Sequence, residues 1–248
     1  MRLVLLSDLH IGMHRADLVQ PLLDSIAAAK ADHIIVAGDL VQRAQKPLFA
    51  QAKALLDRTA LPWFSVPANH DNPLMNLPAR LLWPFDAYET SVPGPREPVL
   101  DLPGLRVIGV NSTYPYRWRN GRITPDQTAR VRAAMGDGPV MVVQHHPISL
   151  LPGENKELML NADDTLAAYD AMGVDLVLTG HLHSFNAVTS SSGLTQIHAG
   201  SALCDRPIDP PNEFALLDVD PQGYQLTRMI AQDGAFKPAP PIALPRRA

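Results

Sequence analysis

The strongest constraint on this 248-residue chain is a set of five short segments, each closing an apolar run with residues able to hold a metal ion. They are Ser7-Asp8-Leu9-His10, Ala37-Gly38-Asp39, Pro67-Ala68-Asn69-His70-Asp71, Gln144-His145-His146-Pro147 and Gly180-His181-Leu182-His183. The runs before them, Arg2–Ser7, His33–Ala37, Trp63–Val66, Val140–Gln144 and Asp175–Leu178, are short and aliphatic, as buried strands are. Ligands of α/β folds gather beyond the carboxyl ends of strands, so five separated segments aim Asp, Asn and His into one crevice.

Further runs at Arg106–Val110, Leu194–His198 and Glu213–Val219 read as strands, and Tyr224–Ile230 alternates as a more exposed one. Helical spacing occupies Asp17–Lys30, Gln45–Thr59, Pro125–Met135 and Ala162–Met172. Asp17 is expected to cap the first helix, and Thr124-Pro125-Asp126-Gln127 is a capping-box start. Early βαβ alternation with a late β-rich stretch implies an α/β fold of two sheets flanked by helices, within one domain over residues 1–233. Loop or lid segments are expected near 73–103, 114–122 and 147–161. The Pro-rich tail, 234–248, is expected to stay outside the core.

The residue types suit a particular chemistry. Imidazole nitrogen and carboxylate oxygen bind divalent transition metals. Two ions about 4 Å apart clamp a phosphoryl group and activate water. A carboxylate between them offsets their repulsion, and Asp39, alone at its strand end, is the natural bridge. Asp8 and His10, like His181 and His183, are two apart and are expected to project together from extended segments. Gly38 and Gly180 are expected to allow sharp turns beneath them.

The series Asp8-x-His10, Gly38-Asp39, Asn69-His70-Asp71, His145 and Gly180-His181-x-His183 resembles the five-block signature of the calcineurin-like metallophosphoesterases. One departure is Ala68, where the family usually has Gly. The resemblance implies a four-layer α/β/β/α sandwich of two mixed sheets. It implies that Asp8, His10 and His183 hold one metal and Asn69, His145 and His181 a second, with Asp39 shared. The ions would be Mn, Fe, Zn or Co. His70 would contact the phosphate or protonate the leaving group, and Asp71 would hydrogen-bond His70 and keep it cationic. A hydroxide held by the metals would attack phosphorus in line. The His10-Ile11-Gly12 start and the length look most like the small bacterial 3',5'-cyclic-nucleotide phosphodiesterases, which implies a phosphodiester substrate. Rivals are the lipid-pathway hydrolase of UDP-diacylglucosamine, which carries Arg at the place of His70, a nuclease, and a non-catalytic scaffold on the same fold.

Other residues carry two readings each. His146 and His198 are candidates for supporting the ligands from beneath, or are satisfied core histidines. Tyr114–Arg122 holds three arginines and three aromatics; Arg117, Arg119 and Arg122 are candidate substrate contacts, against a solvated loop. Trp83, Phe85 and Tyr88 suit core or dimer packing, His14 a surface loop, and His33 the start of a strand. Cys204 reads as a small buried hydrophobe.

A net charge of -4 argues against a protein that coats nucleic acid. The single cysteine excludes an internal disulfide and fits a reduced compartment. The apolar run near Met1 is short for a signal peptide, and no window approaches the roughly 20 apolar residues of a membrane span. A cytoplasmic protein is expected, monomeric or homodimeric.

Overall fold

A computed structural model describes residues 1–150, 158–205 and 211–247. The strands are β1 (Arg2–Leu6), β2 (His33–Val36), β3 (Trp63–Ser65), β4 (Val99–Leu102), β5 (Leu105–Gly109), β6 (Val140–Val143) and β7 (Leu176–Thr179). They continue with β8 (Asn186–Thr189), β9 (Thr195–His198), β10 (Glu213–Asp220), β11 (Gly223–Gln232), β12 (Ala235–Pro238) and β13 (Ile242–Pro245). The helices are α1 (Val19–Ala29), α2 (Lys46–Asp57), α3 (Leu77–Leu82), α4 (Asp86–Glu89), α5 (Pro125–Ala134) and α6 (Ala162–Met172).

Two mixed sheets form. One runs β12-β11-β10-β1-β2-β3, with β13 also on β11; the other runs β4-β5-β6-β7-β9-β8. In the first, β1, β2 and β3 are parallel and β10 is antiparallel to β1. In the second, β5, β6, β7 and β9 are parallel between antiparallel edges.

The alternation of side chains explains the layering. On β1, Leu3 and Leu5 face the second sheet, where they meet Met141, Val143, Leu176 and Leu178. Val4 and Leu6 face the opposite way, into a core with Leu22 and Ile26 of α1 and Phe49 and Leu56 of α2. On β6, Val140 and Val142 face Val131 of α5 and Tyr169 of α6. Each central strand is therefore apolar on both faces, which is why these segments read as continuous runs. The result is the four-layer α/β/β/α sandwich.

Several expectations need correction. The tail joins the sheet: β12 and β13 both pair with β11, and Phe236 and Leu244 are buried. Its prolines are tolerated because these are edge strands, and one apolar side chain per strand reaches the core. Asp17 does not cap α1. It lies in a 3-10 turn, Ala16–Leu18, and pairs with Arg15 at 2.6 Å. The segment 73–103 holds α3, α4 and β4, with the Asn76 side chain capping α3. Within it Phe85 and Tyr88 are buried and Trp83 is exposed. The Thr124 capping box forms as expected. Of the expected lid at 147–161, residues 151–157 lie outside the described residues. Among the described residues no helix is long and apolar enough to cross a membrane.

Candidate metal centre

All five blocks lie at the carboxyl ends of β1, β2, β3, β6 and β7, on the same edge of the sandwich. The loops after β1 and β2 run side by side. The Asp8, His10 and Ile11 amides donate to the carbonyls of Gly38, Asp39 and Leu40 at 3.0–3.1 Å.

The backbone there is unusual. Asp8, His10, Asp39, His181 and His183 all have positive φ, between 47° and 72°. Left-handed backbone costs a non-glycine residue stability and persists where surrounding structure enforces it, commonly at functional sites. Asp8 and His10 thus converge through left-handed turns, as do His181 and His183, rather than by alternation along extended chain. The two glycines also differ from each other. Gly38 has a φ of 86°, and a Cβ there would sit 2.6 Å from the Ala68 Cβ. Gly180 instead makes room, because a Cβ there would collide with Ser7 Oγ and lie 2.7 Å from Asp8 Oδ2. Ala68 is buried and is not among the positive-φ residues, so its methyl is accommodated in an ordinary conformation.

The side chains converge accordingly. Asp8 Oδ2 accepts from Ser7 Oγ at 2.6 Å and the His181 amide at 3.1 Å. Its Oδ1 makes no well-aligned hydrogen bond and faces His183 Nε2 at 3.0 Å and His10 Nε2 at 3.5 Å. His10 Nε2 and His183 Nε2 are 3.3 Å apart. Asp39 Oδ2 lies 3.5 Å from both His10 Nε2 and His145 Nε2, and Oδ1 accepts from the His70 amide at 2.9 Å. His145 Nδ1 donates to the Ala37 carbonyl at 2.7 Å, which turns its Nε2 lone pair toward Asp39. His145 Nε2 and Asn69 Oδ1 are buried without hydrogen-bond partners. The His181 ring is 5.2 Å from that of His145.

Buried atoms normally find partners, so unpaired oxygen and nitrogen acceptors converging on one space fit a cation. The donor set of carboxylate, amide oxygen and imidazole is that of divalent transition metals. Burial pushes the Asp8 carboxyl up, but His183, His10 and His145 more than offset it and hold it well below the usual range. Burial likewise opposes Asp39, and His145, His70 and His10 lower it. Both are held toward the carboxylate form, the form a ligand needs.

His70 and Asp71 do not pair as expected. Asp71 is fully buried and accepts from the amides of Ala68, Val41 and Leu40 at 3.1–3.4 Å. It braces the turns of the second and third blocks. Burial, then the nearby Asp39 charge, raises its pKa well above the ordinary value. His70 Nδ1 instead donates to the Gln42 carbonyl at 3.1 Å. His10, Asp39 and His70 also offer donor atoms within 4.8 Å of one another, so position alone admits His70 as a ligand.

His146 and His198 also bond elsewhere than to the ligands. His146 shares two bonds with Ser112 while its ring packs 5.0–5.1 Å from those of His181 and His145. Burial, then His145, pushes its pKa down to about 3. His198 bonds Thr179 Oγ1 and the Gln196 side-chain Nε2. Burial pushes it down to about 4. An imidazole kept neutral in the fold but free to protonate when unfolded adds stability that is complete above its ordinary pKa of 6.5. That stability is lost as pH falls toward 4. His198→Gln should therefore flatten the acid dependence of stability by up to roughly 3 kcal/mol. Urea unfolding at about pH 7 and pH 4.5 reads this, and identical acid slopes for the two proteins would contradict it.

Arg117, Arg119 and Arg122 are all exposed. Arg122 lies over the Tyr114 ring, 5.7 Å from its centroid. The residue that organises this loop is Arg80, which the sequence did not single out. It is 1% exposed and donates to the carbonyls of Pro73, Pro115 and Arg117, stapling the insert after β3 to the arginine–aromatic loop. Its helical neighbours gave no sign of burial. A cavity of about 730 Å³ opens between that insert and the loop after β2, lined by Arg43, Gln45, Pro73, Met75, Asn76 and Trp83.

The arrangement suits a metal-binding protein of this fold, and comparison with known proteins gives its family. The chain belongs to the calcineurin-like phosphoesterase family, whose model matches residues 1–185. It is 25% identical over 217 residues to a probable cyclic nucleotide phosphodiesterase of Rhodococcus erythropolis, covering 82% of this chain and 68% of that one. Its fold is similar to that of a dimetal phosphatase from Danio rerio, with a TM-score of 0.73, 14% identity and 99% of each chain covered. It is also similar to GAP50, the anchor in the inner membrane complex of Plasmodium, with a TM-score of 0.68, 13% identity, and 100% and 89% of the chains covered.

Proposed function

We propose that this chain is a phosphodiesterase that works with two metal ions and hydrolyses a small phosphate diester of the cyclic-nucleotide class. The observation that carries the reading is Asp39, whose Oδ2 lies 3.5 Å from His10 Nε2 on one side and from His145 Nε2 on the other. Asp8, His10 and His183 would hold one ion and Asn69, His145 and His181 the second, with Asp39 shared. When bound, two such ions neutralise phosphate charge and lower the pKa of water for attack on phosphorus.

The protein's own groups do the rest. Ser7 and the His181 amide hold Asp8 Oδ2, so that Oδ1 is presented to the ion. The Ala37 carbonyl selects the His145 tautomer. Because a carbonyl only accepts, Gln42 places a proton on His70 Nδ1; a second proton on Nε2 makes the ring a cation that can bind phosphate oxygen and protonate a leaving alkoxide. Asp71 keeps the turn that carries His70 in place through its three amide bonds. The cavity beside the Gln42 and Pro73 loops has room for the body of a nucleotide-sized group. The curated relative named for cyclic nucleotides supports the substrate class.

Metal-loaded protein should hydrolyse bis-p-nitrophenyl phosphate and 3',5'-cyclic nucleotides at least about tenfold faster in kcat/KM than p-nitrophenyl phosphate. A screen with added Mn and with added Zn tests this. Preference for the monoester, or a chain that binds no metal, would overturn it.

A further inference from the structure

We propose that Cys204 is a sulfur donor to the metal position framed by Asp8, His10 and His183, an inference that rests on the metal reading above. Nothing in the spacing of the sequence links residue 204 to the first block. The fold makes the link. Residues 13–15 and 203–205 run antiparallel, with Arg15 donating to the Leu203 carbonyl at 2.8 Å and Asp205 to that of Met13 at 3.0 Å. The Ser201 hydroxyl donates to the Asp8 carbonyl at 2.9 Å and accepts from the Cys204 amide at 3.0 Å. One side chain therefore ties the cysteine turn directly to the candidate ligand Asp8. Ala202 adds a bond to the Ser7 carbonyl at 3.0 Å.

That turn brings Cys204 Sγ and donor nitrogens of His10 and His183 within 4.8 Å of one another, with all three residues buried. Donors at about 2.0–2.3 Å from a common ion lie roughly 3.3–4.4 Å apart, so a small closure around the ion suffices. The independent sign that this space takes a cation is Asp8 Oδ1. It is fully buried, faces the same two imidazoles at 3.0 Å from His183 Nε2 and 3.5 Å from His10 Nε2, and makes no well-aligned hydrogen bond to either. On coordination the S–H bond breaks, its proton passes to solvent, and a sulfur–metal bond forms. A soft thiolate favours zinc, cobalt or iron over manganese at this position and leaves the His145 side to imidazole and oxygen donors.

The test uses cobalt as the probe. The full chain is stripped with chelator, reloaded with Co(II), and its cobalt content measured by elemental analysis. Because Cys204 is the chain's only cysteine, a thiolate-to-cobalt charge-transfer band in the near ultraviolet can arise from no other residue. The band is expected in the loaded wild type and should vanish in Cys204→Ser at comparable cobalt content. Two bound cobalt ions with no band in the wild type would overturn the sulfur assignment and leave the phosphodiesterase reading intact. A band that survives in Cys204→Ser would also overturn it. If the folded wild type takes up no cobalt, zinc or manganese, both readings fall together. The wild-type spectrum decides the matter even if the variant does not fold.

Discussion

Asp39→Asn is expected to lose metal and activity together, with kcat/KM toward bis-p-nitrophenyl phosphate falling on the order of 10³-fold, the scale of removing a principal charge from a catalytic site. The substitution isolates charge from shape. Asp39 has a φ of 52°, and Asn is among the residues that tolerate left-handed backbone, so the turn after β2 survives the change. The remaining amide oxygen can still accept from the His70 amide, as Oδ1 does at 2.9 Å. What disappears is the negative charge at Oδ2, the atom 3.5 Å from both His10 Nε2 and His145 Nε2. Without it two cations a few ångströms apart repel with little between them, and at least one position should empty. Elemental analysis should show the loss, with the urea midpoint reporting that the fold is retained. Two retained ions and full activity would sink the bridging assignment.

How far the sequence revealed this site depends on what each feature is made of. The five blocks were readable because Asp, Asn and His at the ends of apolar runs are costly there unless they have a task. The layers were readable because Leu3 to Leu6 supply both faces of β1 with apolar side chains. The local path of the ligands was not readable. Asp8, His10, His181 and His183 adopt left-handed turns without glycine, and spacing by two suggested extended chain. Asp71 shows a similar limit. The family resemblance implies a pair with His70, yet turn geometry sends the Asp71 carboxylate to three backbone amides and gives His70 to Gln42. Arg80 bonds the Pro115 carbonyl 35 positions away and Cys204 lies beside His183 and His10, 21 and 194 positions away, placements that local pattern does not encode. The tail's place in the sheet is hidden for a third reason: four of its fifteen residues are proline, which disfavours central strands but not edges.

His70→Ala should separate chemistry from metal binding. Both ions are expected to stay, because the backbone amide at 70 still braces Asp39 Oδ1 and the ring's own bond runs outward to the Gln42 carbonyl. The rate should nevertheless fall by about 10²–10⁴, the usual contribution of a positioned proton donor. The size of the loss should depend on the leaving group. A p-nitrophenolate leaves readily without a proton, whereas the sugar alkoxide of a cyclic nucleotide needs one. The defect should therefore be larger for the cyclic nucleotide, and the alkaline limb, where the wild type loses the proton on His70 Nε2, should be missing from the pH–rate profile of the variant. An equal loss on both esters with an unchanged profile would make His70 a charge stabiliser rather than a proton donor. Metal content decides the remaining question. His70 stands within 4.8 Å of donor atoms on His10 and Asp39, so a fall from two ions to one in His70→Ala would reassign it as a ligand.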